Sequence, residues 1–168
     1  IKDGQNVLDI GCGYGAVANS IATSRPKSKV YGIDLDDNKL NMAKNFYLKL
    51  NNLSFLKFDA TKNLPNGNWD IVVLSNVLEH IDDRVLFLKK VIKKSRAKTF
   101  LIRVPHFERH WEIPQRQELG INYYSDNDHK IEHKLDEFLK EIGDAGLVSK
   151  EINTIWGEIW CKSKVSNI

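Results

Sequence analysis

The stretch NVLDIGCGYG, residues 6–15, constrains this chain more than any other. A short apolar run, Val7 to Ile10, leads straight into Gly11, Gly13 and Gly15. The apolar run reads as a strand, and glycines just beyond it let the backbone turn sharply and come close to a ligand. A strand that opens into such a loop and continues as a helix is the first unit of a parallel α/β sheet.

The alternation then repeats. Strands are expected at KVYGID (29–34), LSFLKF (53–58), WDIVVLS (69–75) and KTFLIRV (98–104). The nearly uninterrupted apolar run in WDIVVLS suits a strand covered on both faces. Between them, Val17 to Ala22 begins a helix that ends before Pro26. Asp36 or Asp37 caps a second helix with Leu40, Ala43, Tyr47 and Leu50 on one face, and Asp82 caps a third with Val85, Leu88, Val91 and Ile92 inward. Residues 105–130 break the pattern without clear periodicity, although their aromatic content argues against simple disorder. Helical spacing returns with Leu135, Phe138, Leu139, Ile142 and Ala145, stopped by Gly146. Strands near 147–152 and 155–161 lie close enough in sequence to pair as an antiparallel hairpin. The expected fold is therefore α/β: a Rossmann-like three-layer sandwich around a seven-stranded, mostly parallel sheet whose last strand is antiparallel. One domain spans 1–168, with 105–130 as a substrate or lid insertion. The abrupt start, IKDGQ, leads us to expect that an N-terminal helical segment is missing.

Composition narrows the function classes. With 42% hydrophobic and 28% charged residues the chain can bury a real core, and a net charge of +3 is too weak to imply nucleic acid. The basic run KKVIKKSRAK (89–98) reads as a solvated helix end, because Val91 and Ile92 interrupt it at core spacing. Its two cysteines, Cys12 and Cys161, lack metal-type spacing and suggest a reducing compartment, so a cytoplasmic location is expected. No apolar run approaches membrane-spanning length.

The glycine loop fits G-x-G-x-x-G/A, the dinucleotide pattern, but that match alone is weak. Asp34, 19 residues beyond Gly15, ends the second strand, where a carboxylate can accept from both hydroxyls of a ribose. Either NAD or another adenosine cofactor satisfies these two features. Asp9 tilts the choice. A pyrophosphate is held by N–H groups at a helix N-terminus, and a carboxylate just before the loop would repel it. A cofactor carrying positive charge would tolerate an acid there, and S-adenosylmethionine has a sulfonium and an ammonium.

VLDIGCGYG, YGIDLD, LKFDATKNLP, WDIVVLSNVLEHI and IRVPH resemble, in order and spacing, the motifs of class I S-adenosylmethionine-dependent methyltransferases. DHKIEHKLDEFLKEIGDAGL resembles the helix before the final hairpin in small-molecule members of that family. The resemblance implies S-adenosylmethionine as cofactor, S-adenosylhomocysteine as product and a small-molecule acceptor. It implies that Asp9 orders the methionine amino end, and that Gly11, Cys12, Gly13 and Gly15 bring the backbone against methionine and ribose. Asp34 would hold the ribose hydroxyls and Leu35 would lie against the adenine. Asp59 would accept from the adenine amino group and Ala60 N–H would donate to the ring. The Asn76 carbonyl would face the ammonium, with Val77 and His80 beneath the cofactor.

In some relatives a Glu-x-x-Glu-His run binds a divalent metal. Here the first glutamate is replaced by Asn76, an amide is a poorer ligand for a hard cation, and no metal is expected. His80 is the candidate catalytic base, weighed against simple packing under the cofactor. His106, Trp111, Tyr123, Tyr124 and His129 are candidates for the acceptor site, while His133 reads as lying on a solvated helix. Cys12 reads as packing rather than a nucleophile. Two other classes stay open. A NAD-dependent oxidoreductase would share the sheet and the ribose acid but would need a second domain. A non-catalytic S-adenosylmethionine-binding module would keep the cofactor site and methylate nothing.

Overall fold

The computed structural model describes residues 1–166. Its framework is one seven-stranded sheet in the order β3-β2-β1-β4-β5-β7-β6. The strands are β1 (Asn6–Ile10), β2 (Lys29–Asp34), β3 (Leu53–Lys57), β4 (Ile71–Ser75), β5 (Thr99–Pro105), β6 (Leu147–Ile155) and β7 (Glu158–Val165). Helices α1 (Ala16–Ser24), α2 (Asp37–Phe46), α3 (Arg84–Ser95), α4 (Glu112–Glu118) and α5 (Leu135–Asp144) connect them. β1 pairs in parallel with both β2 and β4, so Leu8 stands between Tyr31 and Val72. β7 runs antiparallel to both neighbours, as expected of the last strand.

Strand alternation splits the core in two. Leu8, Ile10, Val72, Leu74, Phe100 and Ile102 pack with Leu88, Val91, Phe138 and Ile142 of α3 and α5. Val7, Ile71 and Val73 point the other way and pack with Ala18, Ala22, Leu40 and Ala43 of α1 and α2. Chain order reverses between β1 and β4, so the loops leaving these two strands diverge and open a crevice at their carboxyl ends.

Several local expectations need correction. Asp83, not Asp82, caps α3, accepting from Leu86 N–H at 2.9 Å. Leu139 is partly exposed rather than core. The hairpin strands are longer than expected and meet across a two-residue turn, Trp156–Gly157. Residues 105–130 contain a helix, α4, which the periodicity hid because none of its residues is buried. His133 is fully buried, not solvated. It forms an isolated parallel bridge with His106, Phe107 N–H donates to its carbonyl, and its Nε2 lies 3.3 Å from Glu141 Oε1.

Gly15 illustrates how tightly the loop is packed. It caps α1 with φ +80°, and a Cβ there would stand 2.5 Å from Phe55 Cζ. Gly120 also has positive φ, but a Cβ there would meet open space. Gly15→Ala is therefore expected to cost about 2–4 kcal/mol, backbone strain plus overpacking, against about 1–2 for Gly120→Ala. Urea denaturation of both variants tests this, and equal losses would refute the packing argument.

Candidate functional site

The glycine loop is fixed from below. Gly11 and Cys12 N–H both donate to the Ile33 carbonyl, at 2.8 and 3.0 Å, pinning the start of the loop to β2. Gly11 (φ +69°) leaves no room for a side chain, since a Cβ would lie 2.7 Å from Val77 Cγ2. Gly13 (φ +52°) differs: a Cβ there would stand in open space, so this stretch of backbone is accessible from above. Cys12 packs inward against the α1–α2 core. Burial first, then Asp9 and Asp34, push its thiol far above the usual range, which makes it inert as a nucleophile.

Asp34 ends β2 beside the loop. One carboxylate oxygen accepts from Gly13 N–H at 2.8 Å and the other from Asp36 N–H at 3.0 Å. Each oxygen keeps a second lone pair for a ligand. A cavity of about 120 Å³ opens here, bounded by Gly11, Asp34, Leu35, Asp59, Ala60 and Val77. Six of the expected cofactor residues, drawn from four separate loops, thus converge on one crevice. A larger cavity of about 370 Å³, with Val17, Val73, Leu101 and Trp160 in its walls, lies over the β4–β5–β7 face and excludes the glycine loop.

Asp9 and Asn76 lie deeper. Asp9 is buried and its Oδ2 has no partner. Burial is the main force on its carboxyl and raises it to about 7; Asp34 adds to this, while Ala18 N–H and Arg103 oppose it. Asn76 leaves β4 with φ +55°, its N–H bonded to the Arg103 carbonyl and its buried Oδ1 without a partner. The unmatched carboxyl of Asp9, close enough to the glycine loop to act on Cys12, suits a ligand bearing a cationic group. Asp59 is more committed. It accepts from Thr61 Oγ–H and N–H and pairs with Lys62 at 2.9 Å, and these donors, Thr61 first, hold its carboxyl down at about 2.

The turn after β4 carries Leu78, Glu79 and His80. Glu79 is buried, neither carboxylate oxygen has a partner, and burial first, then Glu132 and Glu158, raise its carboxyl to about 7. His80 Nδ1 lies 3.1 Å from Asp128 Oδ2, and its ring stands edge-on to His129 with centroids 4.8 Å apart. Lys130 N–H donates to the Glu79 carbonyl at 2.6 Å, tying the 105–130 segment to this turn. A carboxylate oxygen of Glu79 and ring nitrogens of His80 and His129 come within 4.8 Å of one another.

The remaining acceptor candidates sit further out. His106 donates its N–H to the Gly157 carbonyl at 3.0 Å. Tyr123 stacks on Tyr124, with centroids 4.6 Å apart, and meets Phe107 edge-on. Trp111 is 67% exposed and its ring neighbour is His110. Of the five, the structure brings His129 to His80. Sequence reasoning missed Ser125 and Glu132, which contact His129, and Arg109, which pairs with Glu132; the one available signal was the i, i+3 spacing of His129 and Glu132.

Comparison with known families matches the model of a methyltransferase domain to residues 1–146. The chain belongs to that family. That match agrees with the resemblance to class I methyltransferases carried by the motifs described above. N-methyltransferase 4 of Papaver somniferum is 32% identical over 132 residues, covering 73% of this chain and 37% of that protein. Ubiquinone biosynthesis O-methyltransferase of Albidiferax ferrireducens is 37% identical over 84 residues, covering 48% of this chain and 32% of that protein. The chain thus spans roughly a quarter to two fifths of the length of the curated relatives it matches. Magnesium protoporphyrin IX methyltransferase from Synechocystis PCC 6803, solved with S-adenosylhomocysteine, shares the fold (TM-score 0.75, 18% identity, 98% of this chain and 75% of that one). A methyltransferase from Aquifex aeolicus matches equally well (TM-score 0.75, 19% identity, 98% and 84%).

Proposed function

We propose that this methyltransferase domain moves the methyl group of S-adenosylmethionine to a small-molecule acceptor. Asp9 carries the cofactor choice: a buried carboxyl with a free oxygen under the glycine loop suits an ammonium or sulfonium and repels a pyrophosphate. In this reading Gly11, Cys12, Gly13 and Gly15 bring the backbone against methionine and ribose. Asp34 accepts from the ribose hydroxyls, Leu35 covers one adenine face, and Asp59 and Ala60 hold the adenine edge. The Asn76 carbonyl faces the ammonium, and Val77 and His80 form the floor. When bound, the cofactor supplies a methyl group that already carries its leaving group, so the protein's main task is alignment.

The 105–130 segment covers the acceptor side, with His106, Trp111, Tyr123, Tyr124 and His129 as its contributing side chains. An acceptor hydroxyl or protonated amine would lose its proton to the His80–His129 pair. The named relatives include both N- and O-methyltransferases, and both acceptor classes belong in the first screen. No helix among the described residues is long and apolar enough to cross a membrane. The low cysteine count fits a cytoplasmic location.

Thermal-shift titration tests the cofactor. S-adenosylhomocysteine at about 100 times its Kd is expected to stabilise the protein by about 2.7 kcal/mol, and NAD to leave it unmoved. The opposite pattern would establish the oxidoreductase reading. Transfer of labelled methyl to catechols and secondary amines tests the reaction. Tight S-adenosylhomocysteine binding with no transfer across the panel would favour the non-catalytic module.

A further inference from the structure

His129 is held by Glu132, whose side chain is fully buried. Every partner of this carboxylate comes from its own segment. Glu132 Oε2 accepts from Arg109 Nη1 at 2.7 Å, and Oε1 accepts from Ser125 N–H at 2.7 Å and Ser125 Oγ–H at 2.9 Å. Oε1 also lies 3.0 Å from His129 Nδ1. Burial alone would raise the Glu132 carboxyl, but Arg109, Ser125 and His129 outweigh it and hold the carboxyl below its usual range. An ionised carboxylate offers lone pairs and no proton, so the hydrogen between Glu132 and His129 belongs to His129 Nδ1. Nε2 of the neutral ring then carries the free lone pair.

His80 is held less firmly, for its Nδ1 makes no hydrogen bond. Its Nδ1 faces Asp128, whose side chain is 69% exposed. Coulombic coupling in a site of effective dielectric about 20 is about four times that in water, and exposed pairs are further weakened by screening. Of the two imidazoles that meet edge-on, His129 therefore has the firmly fixed proton. The ionisable groups around it are Glu132, Asp126 and Asp128 from its own segment, and Glu79 and His80 from the turn after β4.

We propose that Glu132 is a positioning residue that keeps the His129 proton on Nδ1 and thereby presents Nε2 as the proton acceptor for the methyl-accepting group. The proposal rests on the methyl-transfer reading above. In the step it serves, the acceptor's O–H or N–H bond breaks and its proton passes to His129 Nε2. The acceptor's electron pair forms the new bond to the methyl carbon, the S–CH3 bond breaks, and its electrons stay on sulfur as a neutral thioether. The imidazolium so formed lies against the Glu132 carboxylate, which offsets its charge without taking the proton, and it returns the proton to solvent after release.

Long-range 15N–1H spectra of the whole chain, recorded with and without S-adenosylhomocysteine at a pH where imidazoles are neutral, test the positioning directly; a His129→Gln spectrum assigns the ring. The expected result is a bare Nε2 in the wild type and a shift of at least about half the population to the Nε2–H form in Glu132→Gln, which removes the negative charge opposite Nδ1. A bare Nδ1 in the wild type, or the same tautomer in both proteins, would overturn the proposal. So would stoichiometric Zn²⁺ uptake that consumes the Nε2 lone pair, since the nitrogen would then be a ligand. The wild-type spectrum decides even if Glu132→Gln does not fold. With an acceptor from the catechol and amine screen, Glu132→Gln should lower kcat about 100-fold and leave the KM for S-adenosylmethionine unchanged; an effect confined to KM counts against it. Should no acceptor be methylated, the transfer reading fails while the spectra still judge the role of Glu132.

Discussion

Asp9→Asn is expected to stabilise the ligand-free protein at pH 8 while weakening S-adenosylhomocysteine binding about tenfold. The Asp9 carboxyl rises from 3.8 to about 7 on folding, chiefly through burial. A carboxyl raised in this way contributes stability that is complete below its unfolded value. That stability is lost as pH climbs through the folded value, because the unfolded chain ionises first. Three units correspond to about 4 kcal/mol, an upper bound. An asparagine avoids the charge, keeps an oxygen for Ala18 N–H, and leaves an NH₂ short of partners, so a net gain of about 1–3 kcal/mol is expected. The advantage over wild type should be small near pH 4, grow to pH 7 and flatten above. Glu79, raised to about 7 from 4.5 mainly by burial, adds a wild-type slope of the same sign in the same window. Urea denaturation across pH, paired with calorimetric binding, gives both numbers. A variant that is less stable at pH 8, or that binds as tightly as wild type, would show that Asp9 is a structural acid rather than a group strained for its ligand.

The parts of this site that were legible in the sequence are those whose chemistry is local. Gly11, Gly13 and Gly15 follow an apolar run, Asp34 ends the next one, and strand parity alone places Asp9 on the face opposite Leu8 and Ile10. Parallel pairing then brings Gly13 and Asp34 within a hydrogen bond. The later segment behaves differently because its contacts depend on how the chain folds back. Glu132 and Arg109 are 23 residues apart, and nothing in their spacing announces a buried pair. α4 was invisible because it buries no face, so its sequence carries no helical stripe. The end of β6, Asn153 to Ile155, was missed for a related reason: Asn153 and Thr154 are both polar and exposed and break the alternation that marks a half-buried strand. Among the aromatics of the insertion, Tyr123, Tyr124 and Phe107 satisfy one another, which composition cannot distinguish from a wall built for an acceptor.

Asp34→Ala should weaken S-adenosylhomocysteine binding at least about tenfold, the loss of two ribose hydrogen bonds worth about 0.5–1.5 kcal/mol each. The structure adds a complication that the sequence did not hold. The same carboxylate accepts from Gly13 and Asp36 N–H, so its removal also unties the glycine loop, at a stability cost of about 1–2 kcal/mol. Loop damage and lost ribose contacts both lower affinity, and a single binding constant merges them. A ligand without ribose hydroxyls separates them. For 2′,3′-dideoxy-S-adenosylhomocysteine, wild type and Asp34→Ala should differ only by the loop contribution, so the tenfold gap should largely close. If the gap stays as wide as with the parent ligand, Asp34 acts by holding Gly13 in place, and the ribose assignment fails even though the residue remains essential to the site.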